Sequence, residues 1–390
     1  MQLLHRASPW RELFAGDSVA EPNTLLAPLC QALDILKVSP DLAAAHAWQP
    51  RMVEALQRLD LPAWRISQLI SDHNEWIYRR AIQLSLNEME AQGWGRPPVA
   101  YCVLTLGSAG RHESLLGPDQ DNAMIVADYP DARHNEIDGY FQSLGERFTA
   151  RLDEAGIPLC NGHVMARWPM WRKRLSEWRE QLNLWTRDRR VKRVQQSNIL
   201  LDFRPVFGTR ALSDSLADHV AELMPRAGLF LNEMASLLDD LPVALDRFGR
   251  LAADDEGAPH LNALNLKRQG LLPLINAVRL LSLRHDARGP ETRTRLSVLA
   301  SLQVLTPSQA RAGVVALDRL QALLLEVQLA SLQAGGAADG WIDMTRLEED
   351  QRLLLRHDMH TIRSLTRLAQ GAHSVSPRRP LVHGSFRHDG

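Results

Sequence analysis

Apolar residues recur every three or four positions through most of the first 95 residues, which is the period of an amphipathic helix. The runs TLLAPLCQALDIL (24–36), MVEALQRL (52–59) and WRISQLISDHNEWIYRRAIQLSLNEMEAQG (64–93) all carry it. The last run ends in GWGRPP, where Gly93, Gly95 and two prolines stop a helix. The period then changes. VAYCVLTLG (99–107) is a short run of Val, Leu, Tyr and Cys and predicts a buried strand. A second strand is predicted from Asp121 to Asp128, stopped by Tyr129-Pro130. A helix is expected over 133–155, with Ile137, Phe141, Leu144 and Phe148 in one stripe. A short strand is expected from Ile157 to Cys160, a helix from Trp171 to Trp185, and a strand in SNILLDFRPVFG (197–208). Thr209 starts another helix, and every periodic segment from there to about residue 370 reads as helical. The tail from 371 to 390 lacks periodicity and reads as disordered.

The predicted class is therefore α+β. A small mixed sheet over 96–225 lies between an N-terminal helical region (1–95) and a C-terminal helical bundle (226–370). Composition narrows the function. The 390 residues carry a net charge of −1, so no basic surplus draws the chain to nucleic acid. The three cysteines, Cys30, Cys102 and Cys160, form neither a disulfide framework nor a zinc pattern; Cys102 and Cys160 read as buried thiols. The N-terminus has no apolar core followed by a cleavage site, and no run of about 18 apolar residues exists. A cytoplasmic protein with no membrane span is expected.

The candidate chemistry lies in LTLGSAGRHESLLGPDQDNAMIVAD (104–128). Residues i and i+2 of a strand share a face, so Asp119 and Asp121 point the same way and can share a divalent cation. Gly107 and Ser108 stand where a strand turns into a helix, a position whose free N–H groups favour an anion. Gly107 allows close backbone approach, and Gly110 tight packing behind the turn. Arg111 offers a fork to a phosphate or a charge to solvent. His112 and Glu113 have a surface or capping role by default. Asp202 sits in an otherwise apolar strand, where a lone carboxylate is costly. It either pairs with Arg204, two residues on, or serves a site. His163 reads as structural. Trp168, Trp171, Trp178 and Trp185 are spaced as one packing stripe. RDRRVKR (187–193) reads as a solvated basic loop or a contact for an anionic partner.

The Gly-Ser turn followed some ten residues later by Asp-x-Asp resembles the nucleotidyltransferase superfamily of DNA polymerase beta and kanamycin nucleotidyltransferase. The longer GSAGRHESLLGPDQDNA is similar to one branch, the signal-transduction nucleotidyltransferases often found with CBS or cyclic-nucleotide-binding domains. Those are themselves similar to the PII-protein uridylyltransferase. DHNEWIYRRAIQLS, PLCNGHVMARWPMWRKRLSEW and LDFRPVFG extend the likeness, and KRQGLLPLINAVRLLSLRH resembles that branch's substrate-binding domain. Gln120 and Asn122 stand where the simplest superfamily pattern has apolar residues. No CBS or cyclic-nucleotide domain is recognisable before the matching segments.

The resemblance implies transfer of a nucleoside monophosphate from a nucleoside triphosphate such as ATP to a protein or small-molecule hydroxyl, in bacterial signalling. It implies Mg²⁺ (or Mn²⁺) held by Asp119, Asp121 and a third acid, Asp202. Gly107, Ser108, Arg111 and Arg204 would face the nucleotide. The other reading is a non-catalytic nucleotide-binding module that acts through a protein partner.

Overall fold

The computed structural model describes residues 41–187, 198–254 and 257–371. The expected helix at 24–36, most of the basic run 187–193 and the tail beyond 371 lie outside the described residues.

Among the described residues, three helices come first. They are α1 (Leu42–Ala47), α2 (Gln49–Arg58) and the 29-residue α3 (Ala63–Ala91). The Asp41 side chain caps α1 by accepting from the Ala43 N–H. Gly93 turns the chain out of α3 with φ +85°, a conformation costly for a residue with a Cβ. One stretch of α3 is unusual: Ser67, Ser71, Asp72, His73, Asn74 and Glu75 are all buried. Of these, Ser67, Ser71 and Asp72 meet the Gly-Ser segment at Ser114 and His112, while His73 and Asn74 bond Gln49 of α2.

The single-turn α4 (Gly107–Gly110) follows the first strand of a sheet whose order is β3-β2-β1-β4. The central β1 (Tyr101–Leu106) runs antiparallel to β2 (Asn122–Val126) and to β4 (Phe203–Gly208), and β3 (Arg172–Arg174) lies parallel to β2. The alternation of side chains accounts for its two covered faces. Tyr101, Val103, Met124 and Val126 pack with Ile77 and Ile82 of α3 and with Phe141 and Phe148 of α5 (His134–Glu154). Cys102, Leu104, Ala123 and Ile125 point the other way, to Trp178, Leu182 and Trp185 of α6 (Leu175–Arg187) and Leu216 of α7 (Arg210–Leu223). That second core runs on without a break into the C-terminal helices.

The bundle comprises α8 (Gly228–Ser236), α9 (Leu272–Arg284), α10 (Thr292–Ser301), the long α11 (Pro307–Gln333) and α12 (Glu349–Gly371). A capping box of Thr306 and Gln309 opens α11. Leu325 and Leu329 of α11 share a third core with Met52, Val53, Ile66 and Ile70, closing the bundle onto the N-terminal helices.

Several local expectations are corrected. Residues 157–160 form no strand, while 172–174 do, so α6 starts at Leu175 instead of Trp171. Of the tryptophan stripe, Trp171, Trp178 and Trp185 are buried but Trp168 is 42% exposed. The C-terminal third is not wholly helical: β5 (Ala263–Asn265) and β6 (Trp341–Asp343) pair antiparallel as a second small sheet, and Lys267–Leu271 forms a π-helical turn leading into α9. No helix among the described residues is long and apolar enough to cross a membrane.

Candidate functional site

The end of β1 organises the site. Its last residue, Leu106, donates its N–H to the Asp121 carbonyl, and the next, Gly107, donates to the Asp202 carbonyl, both at 2.9 Å. Gly107–Gly110 then makes a single helical turn. Asp121 and Asp202 therefore flank the same strand end, one on each side.

On one side stands the acid pair. Regular pairing of β2 begins at Asn122, so both acids sit in the segment leading into it. The alternation nevertheless persists: Gln120 and Asn122 are buried, Asp119 is exposed and Asp121 half-buried. The inward residues explain the departure from an apolar pattern. Residues 157–166 pack against this segment as irregular chain, and buried backbone groups need partners. The Gln120 amide donates to the carbonyls of Thr149 and Ile157, each at 2.9 Å. The Asn122 side-chain oxygen accepts from the Ala166 N–H at 2.8 Å. Two amides thus fasten the acid segment to its neighbours.

Outward, ligand atoms of Asp119, Asp121 and Cys160 lie within 4.8 Å of one another. Gly107, with φ +59°, is left-handed, and a Cβ there would stand 3.4 Å from an Asp121 carboxylate oxygen. Ser108 is exposed beside it. Burial, and then the charge of Asp119, push the Asp121 carboxyl up to about 6; a hydrogen bond from Cys160 and the charges of Lys267 and Arg111 pull the other way. Burial likewise pushes the Cys160 thiol up to about 11, so it is protonated at neutral pH. Two close carboxylates short of positive charge fit a hard divalent cation such as Mg²⁺ or Mn²⁺. The neutral thiol does not, and it acts as a donor to Asp121.

On the other side the geometry differs from expectation. Asp202 lies in a bend one residue before β4, with its side chain fully enclosed. Arg111 and Arg295 reach its two carboxylate oxygens at 2.7 Å each, and Arg279 reaches it at 2.6 Å. Burial alone would raise this carboxyl; Arg279, Arg295 and Arg111 outweigh it and hold the group well below the usual carboxylate range. Asp202 is not part of the metal-capable group of Asp119, Asp121 and Cys160, and its carboxylate oxygens are taken by the three arginines. Nor does Asp202 pair with Arg204, which bonds Glu291 at 2.8 Å.

Arg111, expected to face a phosphate, is buried between Asp202 and Glu113. The rest of the Gly-Ser segment is similarly committed to the framework. A Cβ on Gly110 would lie 2.2 Å from the Asp202 carbonyl oxygen, so only glycine fits. His112 pairs with Asp72 of α3 at 2.8 Å. Glu113 accepts from the Thr292 N–H and hydroxyl, capping α10. Ser114 bonds Ser71 and Ser67 through its backbone. Consecutive residues of one motif thus tie the sheet to α3 and to the bundle. His163 packs edge-on against Trp168 and is not part of the metal-capable group.

Arg279 and Arg295 were missed in the sequence. The available signal was an arginine within the apolar run of LLPLINAVRLLSL, where a buried charge implies a partner.

A family model described as "Putative nucleotidyltransferase DUF294" matches residues 47–192. A second, described as "Putative nucleotidyltransferase substrate binding domain", matches residues 228–372. Together they span more than half of the chain. The Gly-Ser turn and the acid pair fall in the first match, Arg279 and Arg295 in the second, and Asp202 between them. No curated protein matches the sequence.

Proposed function

The chain belongs to this nucleotidyltransferase family, and from that premise we propose that it moves a nucleoside monophosphate from a nucleoside triphosphate to a hydroxyl of a protein or small molecule. One observation carries the reading: two carboxylates short of positive charge converge beside a glycine-opened turn with an exposed serine. Asp119 and Asp121 would hold Mg²⁺ or Mn²⁺. A bound divalent cation supplies charge neutralisation at the reacting phosphate and the departing pyrophosphate. The acceptor oxygen bonds to the α-phosphorus as the bond to pyrophosphate breaks, and the hydroxyl proton passes to solvent. The Ser108 hydroxyl would donate to a phosphate oxygen, and Gly107 would keep that approach open.

Asp202 takes a different part from the one implied by resemblance. Enclosed by three guanidiniums, it positions Arg111 and anchors the bundle behind the turn. Arg204, on Glu291 and near the Gly110 carbonyl, supports the same turn.

The same observation favours a second reading. With the third acid occupied by arginines, the chain could capture a nucleotide and report it to a protein partner without turnover. The separating experiment incubates the full chain and Mg²⁺ with α-labelled ATP, UTP, GTP or CTP in bacterial lysate. Label that appears on an acceptor and is lost in Asp119→Asn/Asp121→Asn supports transfer. Tight nucleotide binding with no labelled acceptor, together with altered partner association, supports the reporter.

A further inference from the structure

The acid pair and Ser108 account for one side of a nucleotide. A triphosphate carries more negative charge than a site built on two carboxylates can accept, even with a cation present, so positive charge must come from elsewhere. The cations nearest the motif are already engaged: Arg111 with Asp202 and Glu113, Arg279 and Arg295 with Asp202, Arg204 with Glu291.

Lys267 is different. It is one of only four lysines in a chain with 45 basic residues. It is exposed, and it makes no ion pair among the described residues. Its Cβ adjoins the loop at Gly340, and that loop also meets the acid-bearing segment.

The small second sheet accounts for that placement. Asn265 of β5 pairs with Trp341 of β6, and the Leu266 N–H donates to the Gly340 carbonyl at 2.9 Å. A Cβ on Gly340 would lie 3.3 Å from the Lys267 Cβ. Two residues earlier, Ala338 packs on Gly117, where an added Cβ would come within 2.8 Å. Gly117 is two residues before Asp119. One short loop, 338–340, thus touches both the acid-bearing segment and the base of Lys267. The π-helical turn beginning at Lys267 sets it at the entrance to α9, on the bundle side.

We propose that Lys267 binds the phosphate tail of the nucleoside triphosphate, so that the C-terminal bundle completes the nucleotide site opposite Asp119 and Asp121. This rests on the nucleotidyl-transfer reading above. A lysine suits the task as a compact charge on a flexible stem, able to reach a phosphate oxygen without fixed geometry. The nucleotide would then bridge core and bundle. The loop 338–340 would set the distance between the acids and the ammonium.

The test uses the full chain with Mn²⁺ and a non-hydrolysable α,β-methylene triphosphate carrying whichever of the four bases the wild type holds most tightly. Lys267→Met keeps the aliphatic stem, and Lys267→Arg keeps the charge. Matched melting curves establish that both are folded. Lys267→Met should weaken triphosphate binding tenfold or more and change binding of the matching monophosphate less than threefold. Lys267→Arg should stay within threefold of wild type for both. Triphosphate binding unchanged in Lys267→Met overturns the proposal, as does equal weakening for mono- and triphosphate. The parent reading fails separately: there the wild type itself binds no triphosphate, or binds it unchanged in Asp119→Asn/Asp121→Asn, and the lysine assignment falls with it.

Discussion

Asp121 and Asp202 stand on opposite sides of one strand end, hydrogen-bonded through their carbonyls to consecutive residues, Leu106 and Gly107. Their side chains meet opposite conditions. Asp202 is fully enclosed and has three guanidiniums. Asp121 is half-buried, faces a second carboxylate, and has a thiol as its hydrogen-bond donor. Burying a carboxylate is costly in both places. The fold supplies the compensation at Asp202 and withholds it at Asp121. A carboxylate whose charge is already balanced by its own protein has nothing left for a cation; one left short invites it. On the reading proposed above, Asp202 serves architecture and Asp119 and Asp121 serve as ligands, although sequence motifs treat the three alike.

The largest expected effect is at Asp202. Asp202→Asn keeps volume but leaves Arg279 and Arg295 buried beside a neutral group. Removing one partner of such a network costs about 3 to 5 kcal/mol. Chemical denaturation of the full chain should show that loss, with the divalent-cation affinity of the surviving folded fraction little changed. A variant that stays as stable as wild type but no longer binds metal would break the comparison and return Asp202 to the ligand set.

The extent to which this was legible in sequence follows from the range of the interactions. The sheet strands β1 and β2 are set by short, continuously apolar runs, and the facing of Asp119 and Asp121 by their two-residue spacing, so both could be read. The membership in a nucleotidyltransferase family followed chiefly from the same stretch, and the α+β class from the periodicity along the whole chain. The partners of Asp202 could not. Arg279 and Arg295 lie 77 and 93 residues away, whereas the local pattern offered Arg204. Gln120 and Asn122 looked like departures because a motif records side chains, while their partners are backbone groups of another segment. Strands β3, β5 and β6 have three residues each, too short for any period to show. In β3 the sequence Arg-Lys-Arg also lay inside a tryptophan spacing that suggested helix.

At the acid pair the expected sign on stability is reversed. Asp119→Asn/Asp121→Asn removes two charges that repel in the metal-free protein, so its melting temperature in chelator should equal or exceed that of wild type. Its affinity for Mn²⁺ should fall tenfold or more, about 1.4 kcal/mol. Melting curves with and without Mn²⁺ read both effects. A destabilisation matching that of Asp202→Asn would mean that the two carboxylate sites are alike after all.

The smallest effect, and the most specific, is in pH dependence. Asp121 has a folded-state pKa near 6, above the unfolded value of about 3.9. The folded form therefore binds the proton more tightly, and ionised Asp121 costs stability. That cost is fully present above pH 6 and disappears as the pH falls toward 4. Asp202 behaves in the opposite sense. Its folded pKa is depressed, so its stabilisation is complete above about pH 4 and is lost only below that. Between pH 4 and 6 only Asp121 of this pair changes state. A displacement of this size corresponds to about 3 kcal/mol at most, and partial exposure reduces that to about 1 kcal/mol. Metal-free wild type should thus gain about half of that relative to Asp121→Asn on going from pH 7 to pH 5, and the rest by about pH 4. Mn²⁺ affinity should fall over the same interval, because cation and proton compete for one carboxylate. A wild-type-minus-mutant difference that stays flat from pH 7 to 5 would show that Asp121 is not short of positive charge, and the contrast with Asp202 would lose its physical basis.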